Sequence, residues 1–116
     1  MSQNGTFLLV TTIWVFLFGF TPDTWSQGKA EDWFLKGNVL SRKGNFEEAV
    51  DAYKKSIERN PNATVAHFNL ALAYKNLNKP KEAAVAFKKT VELEPGNLDA
   101  RYSLGSVYNH LERWED

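Results

Sequence analysis

Chemistry on a protein needs titratable or nucleophilic side chains at set spacings, and this chain offers few. It has two histidines, His67 and His110, and no cysteine. There is therefore no thiol nucleophile, no thiolate metal site and no disulfide framework. No H-x-x-x-H pair, phosphate-cradling P-loop or G-x-G-x-x-G turn occurs. His67 is expected as a packed core histidine rather than a ligand. His110 is expected to face solvent or a groove. The adjacent carboxylates Glu47 and Glu48 suit the first turn of a helix, where the helix dipole favours negative charge. Lys54-Lys55 and Lys88-Lys89 recur at one register and read as solvated faces, not as a nucleic-acid stripe. Asn4-Gly5-Thr6 and Asn62-Ala63-Thr64 match the glycosylation pattern, which is common by chance. No catalytic constellation, metal site or cofactor site emerges, and the chain is not expected to be an enzyme.

Bulk properties agree. The 116 residues suffice for one small domain, with 43% hydrophobic and 24% charged residues and a formal net charge of zero. A nucleic-acid partner would call for a basic excess that is missing. The charges are unevenly placed. Every Lys and Arg lies at or after Lys29, and Asp23 is the single charged side chain before it. Residues 7–20 read FLLVTTIWVFLFGF, a run without charge that is shorter than the roughly 20 residues a membrane-spanning helix needs. Its length fits the apolar core of a secretory signal peptide, with Pro22 ending a helix soon after and a weak cut site after Ser26. The residues before it, MSQNGT, lack Lys and Arg. Three readings stay open for residues 1–29: a cleaved signal peptide, an uncleaved membrane anchor with Trp14 and Trp25 at the interface, or a buried helix. The first two are favoured, because the run is apolar all round rather than along one stripe. They place the remainder outside the cytoplasm or at a membrane face.

The remainder repeats itself. Pro61 and Pro95 are 34 apart, as are Glu48 and Glu82, Ala49 and Ala83, and Leu70 and Leu104. The first unit supplies Trp33, Gly37, Leu40, Phe46, Ala49, Tyr53, Ser56 and Pro61. The second supplies Leu70, Ala71, Tyr74, Ala83, Phe87, Thr90 and Pro95. The third supplies Leu104, Gly105, Tyr108 and Trp114. On these residues the chain resembles the tetratricopeptide repeat family, over about three quarters of its length. It departs from the family pattern at Lys36, where Leu is usual, at His67, where Trp is usual, and at Pro80, where an aromatic is usual. The resemblance implies an all-α solenoid of antiparallel helix pairs, with repeats at about 30–63 and 64–97 and a partial one at 98–116. The N-terminal hydrophobic segment precedes them.

Local signals fit that expectation without the family name. Gly37, Ala71 and Gly105 are small where paired helices must approach, with Ala49 and Ala83 as their counterparts. Trp33, Tyr53 and Phe87 are expected to fill the space around those crossings. Asn45 is placed to cap a helix, with Glu48 completing a capping box. Gly44 suits the left-handed residue that closes the helix before it. Pro61 and Pro95 stop each unit, while Pro80 fits a first turn. Helices are expected at 30–43, 46–59, 64–77, 80–93 and 98–111. The last has no following helix in the sequence, so Leu104, Val107, Tyr108 and Leu111 are expected to lack their partner. That face is expected either to pair with another chain or to belong to a longer array.

In this family the first helix of each pair lines a concave groove where peptides commonly bind. The resemblance assigns to it Phe34, Asn38, Ser41 and Arg42, then Val65, Phe68, Asn69, Leu72, Lys75 and Asn76, then Tyr102, Ser103, Ser106 and Asn109. Aromatics, amides and cations together suit an extended peptide, whose backbone asparagines can pair. One subclass clamps a terminal carboxylate with Lys and Asn, then Asn, then Lys and Arg. Asn38 and Asn69 match two of those places. Phe34, Asp99 and Ser103 replace the three cations, so clamp function is not expected. The expectation is an exported or membrane-tethered scaffold of the bacterial envelope that recruits a partner protein. The alternative is a structural piece of a longer array with no ligand of its own.

Overall fold

The computed structural model describes residues 22–115, with side chains from 29 to 113. Within them lie five α-helices: α1 (Pro22–Arg42), α2 (Phe46–Arg59), α3 (Thr64–Asn76), α4 (Pro80–Leu93) and α5 (Leu98–Glu115). Each helix packs on the next in chain order, so α1 and α2 form one hairpin, α3 and α4 a second, and α5 leans on α4. The inner helices α1 and α3 also touch, and together they form one face of the stack.

Two bounds differ from expectation. Helix α1 starts at Pro22, earlier than residue 30, so the cut considered after Ser26 falls inside a helix. Pro22 opens α1, at a position whose N–H has no intrahelical acceptor to lose. Helix α5 runs to Glu115 because nothing in Glu112-Arg113-Trp114 breaks it. Among the described residues no helix is long and apolar enough to cross a membrane. The apolar run at residues 7–20, and with it the signal-peptide, anchor and membrane-contact readings, lies outside the described residues.

The hairpin joints explain why the helices stop. Gly44 has a φ of 82° and Asn78 a φ of 57°, and the two are 34 residues apart. At the first joint Gly44 N–H donates to Ser41 O and Asn45 N–H to Leu40 O. At the second, Asn78 N–H donates to Lys75 O and Lys79 N–H to Tyr74 O. Both are Schellman closures, built once with Gly and once with Asn. They also correct the expected capping box. Asn45 stands at the cap of α2 but its side chain makes no cap hydrogen bond. Its own N–H is held by Leu40 O at 2.9 Å, so Glu48 has no cap amide to reach back to. The side-chain cap occurs instead at α5, where Asn97 Oδ1 accepts from Ala100 N–H at 2.9 Å.

Small residues let the helices close up, and aromatics fill what remains. Ala49, Ala71, Ala73 and Ala83 are fully buried, with Phe87 and Tyr53 among the largest buried side chains. A Cβ on Gly37 would come within 2.6 Å of the Tyr53 ring, so only glycine fits that crossing without repacking. Gly105 differs, having no neighbour within 4 Å, because no described helix lies across it. Ser56 and Thr90, again 34 apart, are buried with their hydroxyls satisfied. Ser56 donates to Ala30 O across helices and Thr90 to Ala86 O within its own. His67 is buried with Nε2 2.8 Å from Pro61 O, a packed histidine. Trp33 does not fill a crossing as expected. It is half-buried, with the ammonium groups of Lys55 at 4.2 Å and Lys36 at 4.9 Å from its ring centroid. Lys36 stands where an apolar residue is usual in the family, and it sets its ammonium over the ring instead.

Candidate functional site: the concave face

The face formed by α1 and α3 carries a chain of side-chain hydrogen bonds. Asn38 sits one turn before the end of α1, and its Oδ1 accepts two of them. One comes from Tyr53 OH at 2.8 Å and the other from Asn69 Nδ2 at 3.0 Å. Tyr53 reaches this face from α2, its ring buried and its hydroxyl surfacing between the inner helices. Burial pushes the Tyr53 hydroxyl pKa up, partly countered by Ser41, Asn69 and the Arg42 charge. With its oxygen doubly engaged, the orientation of the Asn38 amide is fixed. Its NH2 and the Asn69 carbonyl then form a donor and an acceptor for a peptide backbone. Asn38, Ser41, Arg42, Tyr53, Asn69 and Leu72 line one cavity of about 320 Å³.

Two further cavities flank it. Towards α5, Lys75, Asn78, Pro80, Ser106, Val107 and His110 line about 230 Å³. At the opposite edge, Phe34 and Val65 join Ala30, Glu31, Ser56, Asn60 and Thr64 around about 350 Å³. The resemblance therefore placed Phe34, Asn38, Ser41, Arg42, Val65, Asn69, Leu72, Lys75 and Ser106 on walls that exist. Phe68 is half-buried and spends its ring on Phe87, edge to face at 5.6 Å. Phe34 likewise leans on Tyr53, with centroids 6.1 Å apart. Asn76 turns its amide back onto Leu72 O at 2.9 Å. Tyr102, Ser103 and Asn109 line none of the three cavities. Tyr102 is 81% exposed, the most open large apolar side chain among the described residues.

On α5 the expected unpartnered face is only half present. Val107 is buried, and Leu104 and Leu111 pack partly against the core. They use the side that meets α4, because α5 needs its own apolar stripe to hold to the stack. Leu98 and Tyr108 stay exposed. Sequence reasoning missed Tyr53, Asn78 and Pro80 as groove walls, while His110, expected to face solvent or a groove, lines the cavity towards α5. Tyr53 had a signal: it stands where the second unit has Phe87, and a hydroxyl at a core aromatic position asks for a polar partner nearby. Among the described residues no three His, Asp or Glu gather as metal ligands would.

The helix-turn-helix units match a model of the tetratricopeptide repeat over residues 30–63 and 64–97. The chain belongs to the tetratricopeptide repeat family. It is 41% identical over 54 residues to an uncharacterised protein of Methanocaldococcus jannaschii, a match spanning 47% of this chain and 63% of that one. Its fold is similar to that of MamA, with a TM-score of 0.71 and 26% identity, over 74% of this chain and 50% of that chain. It is also similar to the first tetratricopeptide domain of Spaghetti (RPAP3), solved bound to the HSP90 peptide SRMEEVD. There the TM-score is 0.69 and the identity 29%, over 77% of this chain and 72% of that chain. The chain thus spans about half the length of MamA and under two thirds of the archaeal relative. Its repeats are of the kind that serve protein interaction.

Proposed function

We propose that the chain recruits a partner protein by seating an extended segment along the concave face. The observation that carries this reading is the Asn38 amide, oriented by two hydrogen bonds so that backbone-pairing groups of Asn38 and Asn69 border a cavity beside Leu72. A fixed amide loses little freedom on binding, which is where much of the cost of holding a flexible peptide lies. The Spaghetti domain, solved bound to an HSP90 peptide, supports a peptide as the kind of partner. The test is site-specific photo-crosslinking in native membrane and envelope extract. A photoreactive residue at Leu72 should capture a partner, and one at Val85, exposed on the far side of the stack, should not. Equal capture at both positions, or capture lost on Val85→Glu but kept on Leu72→Glu, would sink the reading.

We also propose that the chain works at or beyond a membrane. The support is the uncharged apolar run at residues 7–20, of the length of a signal-peptide core. Fractionation of the native full chain, with mass spectrometry of its N-terminus, tests this. An intact N-terminus in the soluble cytoplasmic fraction would overturn it.

A further inference from the structure

Resting on the concave face as the seat, we infer that the seated segment is acidic and is read through its side chains rather than its terminal carboxylate. The two adjoining cavities along α3 have Arg42 and Lys75 in their walls, and neither lining contains a carboxylate. Arg42 lines the same cavity as the Asn38 side chain, and its Nε donates to the Asn38 main-chain carbonyl one turn back at 3.4 Å. A backbone paired with Asn38 and Asn69 therefore passes next to a guanidinium. Leu72 and Lys75 are three apart on α3 and share a face, so an apolar wall is followed within one turn by a second cation. The carboxylates at the starts of the outer helices point elsewhere. Glu47, Asp51 and Glu82 line the trench between α2 and α4. Lys54 and Lys79 line that trench too, so both signs meet there, whereas Arg42 and Lys75 stand in the two concave cavities with no carboxylate in either wall. A terminal carboxylate would instead need cations at Phe34, Asp99 and Ser103, and Asp99 repels it. The segment that fits carries two acidic side chains flanking an apolar one, opposite Arg42, Leu72 and Lys75.

The experiment is fluorescence anisotropy of the full chain with fluorescein-labelled, C-terminally amidated dodecapeptide pools. The pools mix apolar residues with Glu, with Gln or with Lys. The Glu pool should bind and weaken with added salt. Arg42→Glu with Lys75→Glu should weaken it roughly tenfold and favour the Lys pool, since two attractions become repulsions. Both side chains are exposed, so the fold should survive, and Arg42→Gln with Lys75→Gln gives a milder variant for comparison. If the Gln pool binds as well as the Glu pool, or the Glu pool needs a free carboxylate, the acidic side-chain reading fails while the groove stands. If no pool binds, both fail.

Discussion

At the scale of single residues, Asn38 is the member of the concave face whose loss reaches furthest. Its oxygen is the acceptor for both Tyr53 OH and Asn69 Nδ2. Asn38→Leu strands two part-buried donors and should lower stability by about 1–3 kcal/mol in urea unfolding. Asn38→Asp keeps an acceptor oxygen and should lose much less. Equal losses would mean that packing, not the hydrogen bonds, holds the site. Tyr53 adds a pH dependence. Its folded pKa is raised by burial above the ordinary value near 10, so the folded state keeps its proton longer than the unfolded chain. The contribution is fully present below pH 10 and is lost as pH rises through the folded value. The Lys54 pKa is raised as well, chiefly by Tyr74, so its effect runs the same way. Thermal melts should therefore fall steeply above pH 10, and Tyr53→Phe should flatten part of that fall. The hub was only half legible in the sequence. Asn38 and Asn69 could be placed by repeat register, but their bond to each other spans 31 residues and two helices, and register says nothing about which amide atom faces which.

At the scale of elements, the joints were the most readable feature. Helix stops follow from local backbone chemistry, and glycine at Gly44 is a local signal. Asn78 does the same work with a side chain and was easier to overlook. Gly44→Ala should cost about 1 kcal/mol, because an L-residue is forced into the left-handed region. Asn78→Gly should cost nothing measurable. Circular dichroism with urea titration checks both, and an unaffected Gly44→Ala protein would mean that the joint relaxes to another turn. The start of α1 was read eight residues late, because the repeat register begins at residue 30 while the helix begins at Pro22. Proline is compatible with either edge of a helix, and the choice depends on what lies C-terminal to it. Trp33 was misread for a related reason: register put it at a crossing, while the substitution at Lys36 removed the apolar wall that would have kept it there.

At the scale of the whole stack, each hairpin is steadied by its neighbours, so stability is shared along one axis. The α3–α4 hairpin is covered on both sides, by α2 and by α5. Native-state hydrogen exchange should therefore show the slowest amides in α3 and α4, and faster exchange in α5 and at the start of α1. Uniform protection across all five helices would indicate one cooperative block instead. The order of helices and their pairing were legible from the 34-residue period alone, since that period implies stacking. The set of side chains that lines each cavity was not, because it depends on how each helix is rotated in the stack. The two joints carry one more consequence. Asn78 closes a helix and also forms part of a cavity wall, so a change there alters shape and surface together. Gly44 has open space within 4 Å of where a side chain would stand. It lines none of the three cavities, so a substitution there strains the turn while every groove side chain keeps its identity.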